Sequence, residues 1–166
     1  MEVIAGDADD RITSFVDRHG AKVFGSITLV ASNREEAEDA FAEALARAWD
    51  HLTRGRQIDS LEAWVFVVAS NELRRSARRR LRRPHPERGA TTVEDSPNLD
   101  HAGLGPAIRA LPKRQRQVVV LRYWFDLPLS DIARGMGIAE GTVKALLHQA
   151  RSSLREMISI IEGATR

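Results

Sequence analysis

The residues with the clearest chemistry lie near the C-terminal end, in the segment GTVKALLHQAR. Thr142, Lys144, His148, Gln149 and Arg151 alternate there with Val143, Leu147 and Ala150. At 3.6 residues per turn, this spacing turns one stripe inward and stands the polar and cationic side chains outward. Such a helix suits a DNA major groove, where polar groups meet base edges and cations meet phosphates. A second concentration is the run Arg74, Arg75, Arg78, Arg79, Arg80, Arg82 and Arg83. One or two cations near a helix C-terminus are ordinary. Seven, with no acidic residue among them, repel one another unless an anion is present, and that is the footprint of phosphate binding.

The elements that must position these side chains can be read from the same pattern. The stretch LPKRQRQVVVLRYWFDLPLSDIARGMGIAEGTVKALLHQARSSL, Leu111 to Leu154, reads as a compact helical unit ending in a helix-turn-helix. Ala133 lets two helices cross closely, Gly137 serves a tight turn that needs positive φ, and Val143 faces inward. Leu129, Ile132, Ala133, Ile138, Val143, Leu147, Ala150 and Leu154 are the expected packing set, with Leu146 beside it and partly exposed. Lys113, Arg114, Arg116 and Arg122 precede the helix-turn-helix and are expected at phosphates.

Upstream, Asp10 to Val30 is expected as a helix, since Ile12, Phe15, Val16, His19, Val23, Ile27 and Val30 recur at three- and four-residue spacing. Ser32 or Asn33 caps the next helix, which holds Glu35 and Glu36 in its first turn and runs to about Leu52. Its inward stripe is Ala37, Ala40, Phe41, Ala44, Leu45, Ala48 and Trp49, with Trp49 and Arg47 also placed to extend a protein-binding face. Thr53 to Ser60 is a polar loop, and Ser60 caps a third helix running from about Leu61 to Leu81, ended by Pro84. Residues 84–103 hold three prolines and two glycines with almost no large apolar side chain, so they read as a flexible linker. Fully extended, it reaches on the order of 70 Å. The expected organisation is all-α: a first domain over 1–83, the linker, and a second domain over 104–166.

Charge supports this division. Residues 1–70 carry net −6, 71–83 net +6, 84–103 net −3 and 104–166 net +5, within a total of +2. Two basic blocks separated by acidic ones suggest two nucleic-acid contacts and an acidic surface for another partner. With no cysteine, disulfides and thiolate metal sites are excluded. The acidic start MEVIAGDADDR is not expected to be a signal peptide, and the apolar runs are too short to span a membrane, so a soluble cytoplasmic protein is expected. His19, His51, His85, His101 and His148 are scattered without metal-ligand spacing, and neither a phosphate loop nor a nucleophile–base pair is present. No enzyme, metal or cofactor is expected.

Over nearly its whole length the chain resembles the extracytoplasmic-function sigma factors, the smallest class of bacterial RNA polymerase specificity subunits. EEAEDAFAEALARAW resembles the family's polymerase-binding helix, and the resemblance assigns Glu38, Asp39, Glu43, Arg47 and Trp49 to core polymerase, on its β and β′ subunits. LEAWVFVVASNELRRSARRRLRR resembles the helix that reads the −10 promoter element. Together with the preceding loop it implies −10 contacts by Arg56, Ser60, Trp64, Asn71, Arg74, Arg75, Arg78 and Arg79. The C-terminal unit resembles the −35-reading domain, which implies Arg116, Arg122, Gly141, Thr142, Lys144, Ala145, His148, Gln149 and Arg151 at promoter DNA. Ala42, Ala139, Ala145, Leu146 and Gln149 depart from the family's usual Gln, Ser, Ser, Arg and Arg, leaving the recognition helix with less charge. The implied function is promoter-specific initiation with core RNA polymerase, under control by an anti-sigma factor in similar proteins. The residues alone also admit a stand-alone helix-turn-helix regulator, or a protein that only sequesters polymerase.

Overall fold

The computed structural model describes residues 2–81 and 104–164, which are helices and short connections without a strand. The chain divides into two compact units, Met1–Asp95 and Ser96–Arg166, so the division falls within the stretch expected as a linker. That stretch, together with Arg82, Arg83 and the expected stop at Pro84, lies outside the described residues.

The first unit has four α-helices: α1 (Glu2–Phe15), α2 (Ala21–Thr28), α3 (Arg34–Thr53) and α4 (Leu61–Leu81). A single π-turn, Val16–Gly20, joins α1 to α2. The sequence pattern places one helix from Asp10 to Val30; the structure starts it earlier and interrupts it. A π-turn takes an extra residue, so it shifts the phase of every position beyond it. Val16 is accordingly 39% exposed rather than inward, while Phe15, Val23 and Ile27 stay buried.

Asn33 caps α3, accepting a 2.8 Å hydrogen bond from the Glu36 N–H. The Glu36 carboxylate in turn accepts from the Ser32 N–H at 3.4 Å. The first bond satisfies a donor that a helix start leaves without an intrahelical partner, and the second ties down the residue before the cap. Ala37, Ala40, Ala44 and Ala48 form a fully buried seam along α3. Small side chains here let α4 and α1 pack close to the α3 backbone. Opposite the seam, α4 buries Ala63, Val65, Phe66 and Ala69. Trp49 departs from the expected inward stripe. It is 40% exposed, and its indole N–H donates to Asp9 on α1 at 2.6 Å.

Gly55 ends α3 with φ +71°. Its N–H donates to the Leu52 carbonyl at 2.9 Å, and the Arg56 N–H donates to His51 at 3.2 Å. This is a Schellman stop, which returns orphan carbonyls to hydrogen bonding. Ser60 then caps α4, accepting from the Ala63 N–H at 3.3 Å.

The second unit contains α5 (Leu104–Ala110), α6 (Lys113–Val119), α7 (Leu129–Met136) and α8 (Glu140–Ala164), with a π-turn at Val120–Trp124. Pro112 and Pro128 stand immediately before α6 and α7, where a missing N–H costs nothing. Val118, Leu121, Ile132 and Val143 are among the largest fully buried side chains, with Met136, Leu147 and Ala150 around them. Leu129, Ile138, Leu146 and Leu154 are half-buried at the edge. Between α7 and α8 the chain turns at Gly137, φ +63°. The Ile138 N–H reaches the Ala133 carbonyl at 3.0 Å and the Gly137 N–H reaches Arg134 at 3.3 Å, a second Schellman stop.

Candidate nucleic-acid and protein interfaces

Helix α8 follows that turn. Val143, Leu147 and Ala150 anchor one face in the core. Gly141, Thr142, Lys144, Ala145, His148, Gln149 and Arg151 are all exposed. Lys144 pairs with Glu140 one turn back, at 3.2 Å. The Arg151 Nε donates to the Leu147 carbonyl at 3.3 Å. Gln149 accepts from Gln115 of α6 at 3.4 Å, a cross-helix contact that the sequence did not reveal. The helix start depends on backbone alone, with the Thr142 N–H donating to the Ala139 carbonyl at 2.9 Å, because an alanine methyl offers no cap.

Of the basic residues expected at phosphates from outside α8, Arg116 and Arg122 are placed less openly. Arg116 is half-buried, and burial pushes its guanidinium pKa down from the usual arginine value. Arg122 braces the loop before α7. Its Nη1 donates to the Leu127 carbonyl at 3.0 Å and lies 3.8 Å from Asp126, whose φ is +50°.

On the first unit, Arg56 is exposed in the loop beside the buried Ile58. Ser60 spends its hydroxyl on the α4 cap. Trp64 is half-buried and tilted against the His51 ring at 5.6 Å. Asn71 and Arg74 are half-buried, and Arg75, Arg78 and Arg79 are exposed. The sequence pattern suggested mutually repelling arginines that need an external anion. The structure corrects this, because carboxylates of the same chain supply part of that charge. Glu72, its side chain 15% exposed, accepts from Arg79 at 2.6 Å and from Arg47 of α3 at 3.3 Å, with Arg75 at 3.8 Å. Positions 72, 75 and 79 fall on one helix face, which brings these groups together. Farther along, Arg80 of α4 pairs with Glu36 of α3. Burial pushes the Glu36 carboxyl up, but the Arg80 guanidinium and the Ser32 N–H outweigh it and hold the pKa below its ordinary value. Neither carboxylate was legible as a partner, because each faces its arginines across a helix contact or a full turn.

The acidic helix α3 presents Glu38, Asp39 and Glu43 outward. Glu38 pairs with Arg34 at 2.8 Å and Glu43 with Arg47 at 2.7 Å. Arg47 therefore joins the outer face of α3 to Glu72 of α4. Trp49 stands exposed farther along α3, fixed by Asp9. Among the described residues no cluster of His, Asp and Glu could hold a metal ion, and no helix is long and apolar enough to cross a membrane.

Two family models match: Sigma-70 region 2 over residues 15–83 and Sigma-70 region 4 over residues 104–154. The chain is 33% identical over 159 residues to the ECF RNA polymerase sigma factor SigL of Mycobacterium tuberculosis, covering 90% of this chain and 89% of that protein. It is 35% identical over 126 residues to the RNA polymerase sigma-E factor of Streptomyces antibioticus, covering 73% and 69%. The sigma factor RpoE, solved in complex with the anti-sigma factor NepR from Bartonella quintana, superimposes with a TM-score of 0.68 at 25% identity, covering 91% of this chain and 98% of that one. The basic outward face of a helix-turn-helix, an arginine-rich helix and an acidic helix thus occur in a chain with matching sequence along most of its length. The chain belongs to the extracytoplasmic-function sigma factors of bacterial RNA polymerase, and it directs promoter-specific transcription.

Proposed function

We propose a division of labour among named residues. The acidic face of α3, with Glu38, Asp39, Glu43, Arg47 and the exposed Trp49, docks on the β and β′ subunits of core polymerase. The loop and α4 take the −10 element after the duplex opens, through Arg56, Ser60, Trp64, Asn71, Arg74, Arg75, Arg78 and Arg79. Holding an unstacked base offsets part of the cost of unstacking it, roughly a few kcal/mol. Helix α8 lies in the −35 major groove, with Thr142, Lys144, Ala145, His148, Gln149 and Arg151 at bases and phosphates and Gly141 at the close approach; Arg116 and Arg122 flank it. Residues 1–83 and 104–166 act as separate DNA-reading domains connected by 84–103. Polymerase, not this chain, makes the phosphodiester bonds. The chain works in the cytoplasm, and an anti-sigma factor holds it inactive, as the complex of RpoE with NepR suggests by analogy.

The strongest support is α8. Its Val143, Leu147 and Ala150 are buried while the polar and cationic positions between them stand exposed. The test is in vitro transcription from a promoter library, using core polymerase with and without the chain. Initiation only with the chain, from templates sharing paired −35 and −10 elements, is expected. Loss of that initiation with Lys144→Ala and Arg151→Ala, but intact polymerase binding, would place the −35 contact as proposed; initiation unaffected by both changes would remove it.

A further inference from the structure

Glu72 has no role in the assignments above, yet it sits at the centre of the ion pairs between α3 and α4. It is one residue from Asn71 and three from Arg75. Its carboxylate receives Arg79 at 2.6 Å and Arg47 at 3.3 Å, with Arg75 at 3.8 Å. Arg79 also donates to Ser76 at 2.9 Å, which further fixes its direction. The carboxylate is 15% exposed, so water screens it less than a surface pair, while the arginine heads are 57% and 65% exposed for Arg75 and Arg79. A phosphate approaching α4 therefore meets cations that already have an anion. It gains only the difference between its own hydrogen bonds and those of Glu72.

We propose that Glu72 is a specificity-determining residue: an internal anion that keeps Arg75 and Arg79 occupied until a DNA strand offers more than its backbone. This rests on the reading that the α4 arginines meet DNA. A random strand presents the same phosphates without bases matched to the site, and these must displace Glu72 without that gain. The correct −10 strand also places bases against Trp64 and Asn71, and that additional binding carries the exchange. Glu72 thus lowers affinity for all strands but lowers it most, in relative occupancy, for those that have nothing else to offer. Its effect passes through Arg75 and Arg79 and needs no contact of its own with DNA.

The experiment uses the full chain and a fluorescein-labelled single strand of non-promoter sequence, with anisotropy read across a salt series. Wild type, Glu72→Gln, Arg75→Ala with Arg79→Ala, and the triple variant are compared. Asp17→Asn, an exposed acid on the π-turn, controls for net charge alone. Glu72→Gln is expected to bind the strand at least threefold tighter than both wild type and Asp17→Asn. Its salt slope should steepen by roughly 0.7 for each phosphate gained. In the arginine-free background the same change should do nothing. In holoenzyme, at a concentration that saturates promoter sites, Glu72→Gln should raise non-promoter occupancy by a similar factor while leaving promoter occupancy unchanged.

Equal binding by Glu72→Gln and wild type, with binding weakened by the arginine pair, would overturn the proposal and leave the α4 reading standing. Unchanged binding by the arginine pair would overturn both. A purely structural Glu72 would lower the melting temperature without moving the salt slope. Should Glu72→Gln fold poorly, Glu72→Asp, which keeps the charge on a shorter arm, is expected to loosen Arg79 and give a smaller gain; no gain from it in folded protein would also count against the proposal.

Discussion

Gly137 shows how much a single residue sets. Its φ of +63° is a conformation that a Cβ disfavours, yet an added Cβ would meet nothing within 4 Å. The cost of Gly137→Ala is therefore backbone strain alone, about 1–2 kcal/mol, and Gly137→Asn should cost less because asparagine tolerates this region better. Thermal denaturation of the two variants checks both the size and the order. The turn was legible in the sequence because glycine is the residue type such a turn demands. Glu72 was not read as a partner, although Arg75 and Arg79 lie three and seven residues on along its own helix face, and Arg47 lies on another helix. Lys144 and Arg151 are exposed, so their replacement by alanine should leave stability within about 0.5 kcal/mol. If both touch phosphates, the salt slope of −35 duplex binding should fall by about 2. Binding titrations at several salt concentrations read that slope directly.

At the scale of an element, the contrast between helix starts is informative. Asn33 and Ser60 cap α3 and α4 with side-chain oxygens, whereas Ala139 leaves α8 to backbone bonds. Ala139→Ser should stabilise the second unit by about 1 kcal/mol, measurable by chemical denaturation. The tie between α3 and α4 has a pH signature. The Glu36 carboxyl is held below its ordinary value of 4.5, so the folded state binds its proton less readily than the unfolded chain. The stabilisation is complete above the unfolded pKa and is lost as pH falls through the lower folded value. Stability curves of wild type and Glu36→Gln should therefore converge on acidification; a constant gap would contradict the assignment. The start of helix α4 was readable, because a Ser cap precedes a long apolar run. The α1–α2 region was not, because a π-turn breaks the 3.6-residue period on which such reading depends. Trp49 was misplaced for a related reason. Period alone assigns a large apolar residue to the core, but it cannot register that Asp9 is available to hold an exposed indole.

For the whole molecule, the placement of acidic and basic groups on different elements predicts separable failures. Glu38→Ala with Asp39→Ala should weaken polymerase binding while leaving duplex binding by α8 unchanged. Arg74→Ala, Arg75→Ala and Arg78→Ala together should impair promoter opening more than polymerase binding. Permanganate footprinting and polymerase pull-down, run on the same variants, distinguish these outcomes; equal loss in both assays would show that the roles are not divided in this way. The alanine seam of α3 has a broader consequence. Ala37, Ala40, Ala44 and Ala48 admit nothing larger, so that side of the helix is closed to change. Glu38, Asp39, Ala42, Glu43 and Ala46 stand exposed outside the seam, with Glu43 holding Arg47 by an ion pair. Under the proposed docking role of α3, partner preference and architecture are written on different residues of one helix. A lineage can redraw its docking surface by drift at the outer positions while inheriting the same fold, and a randomised library at those five sites should yield mostly folded proteins with altered partners.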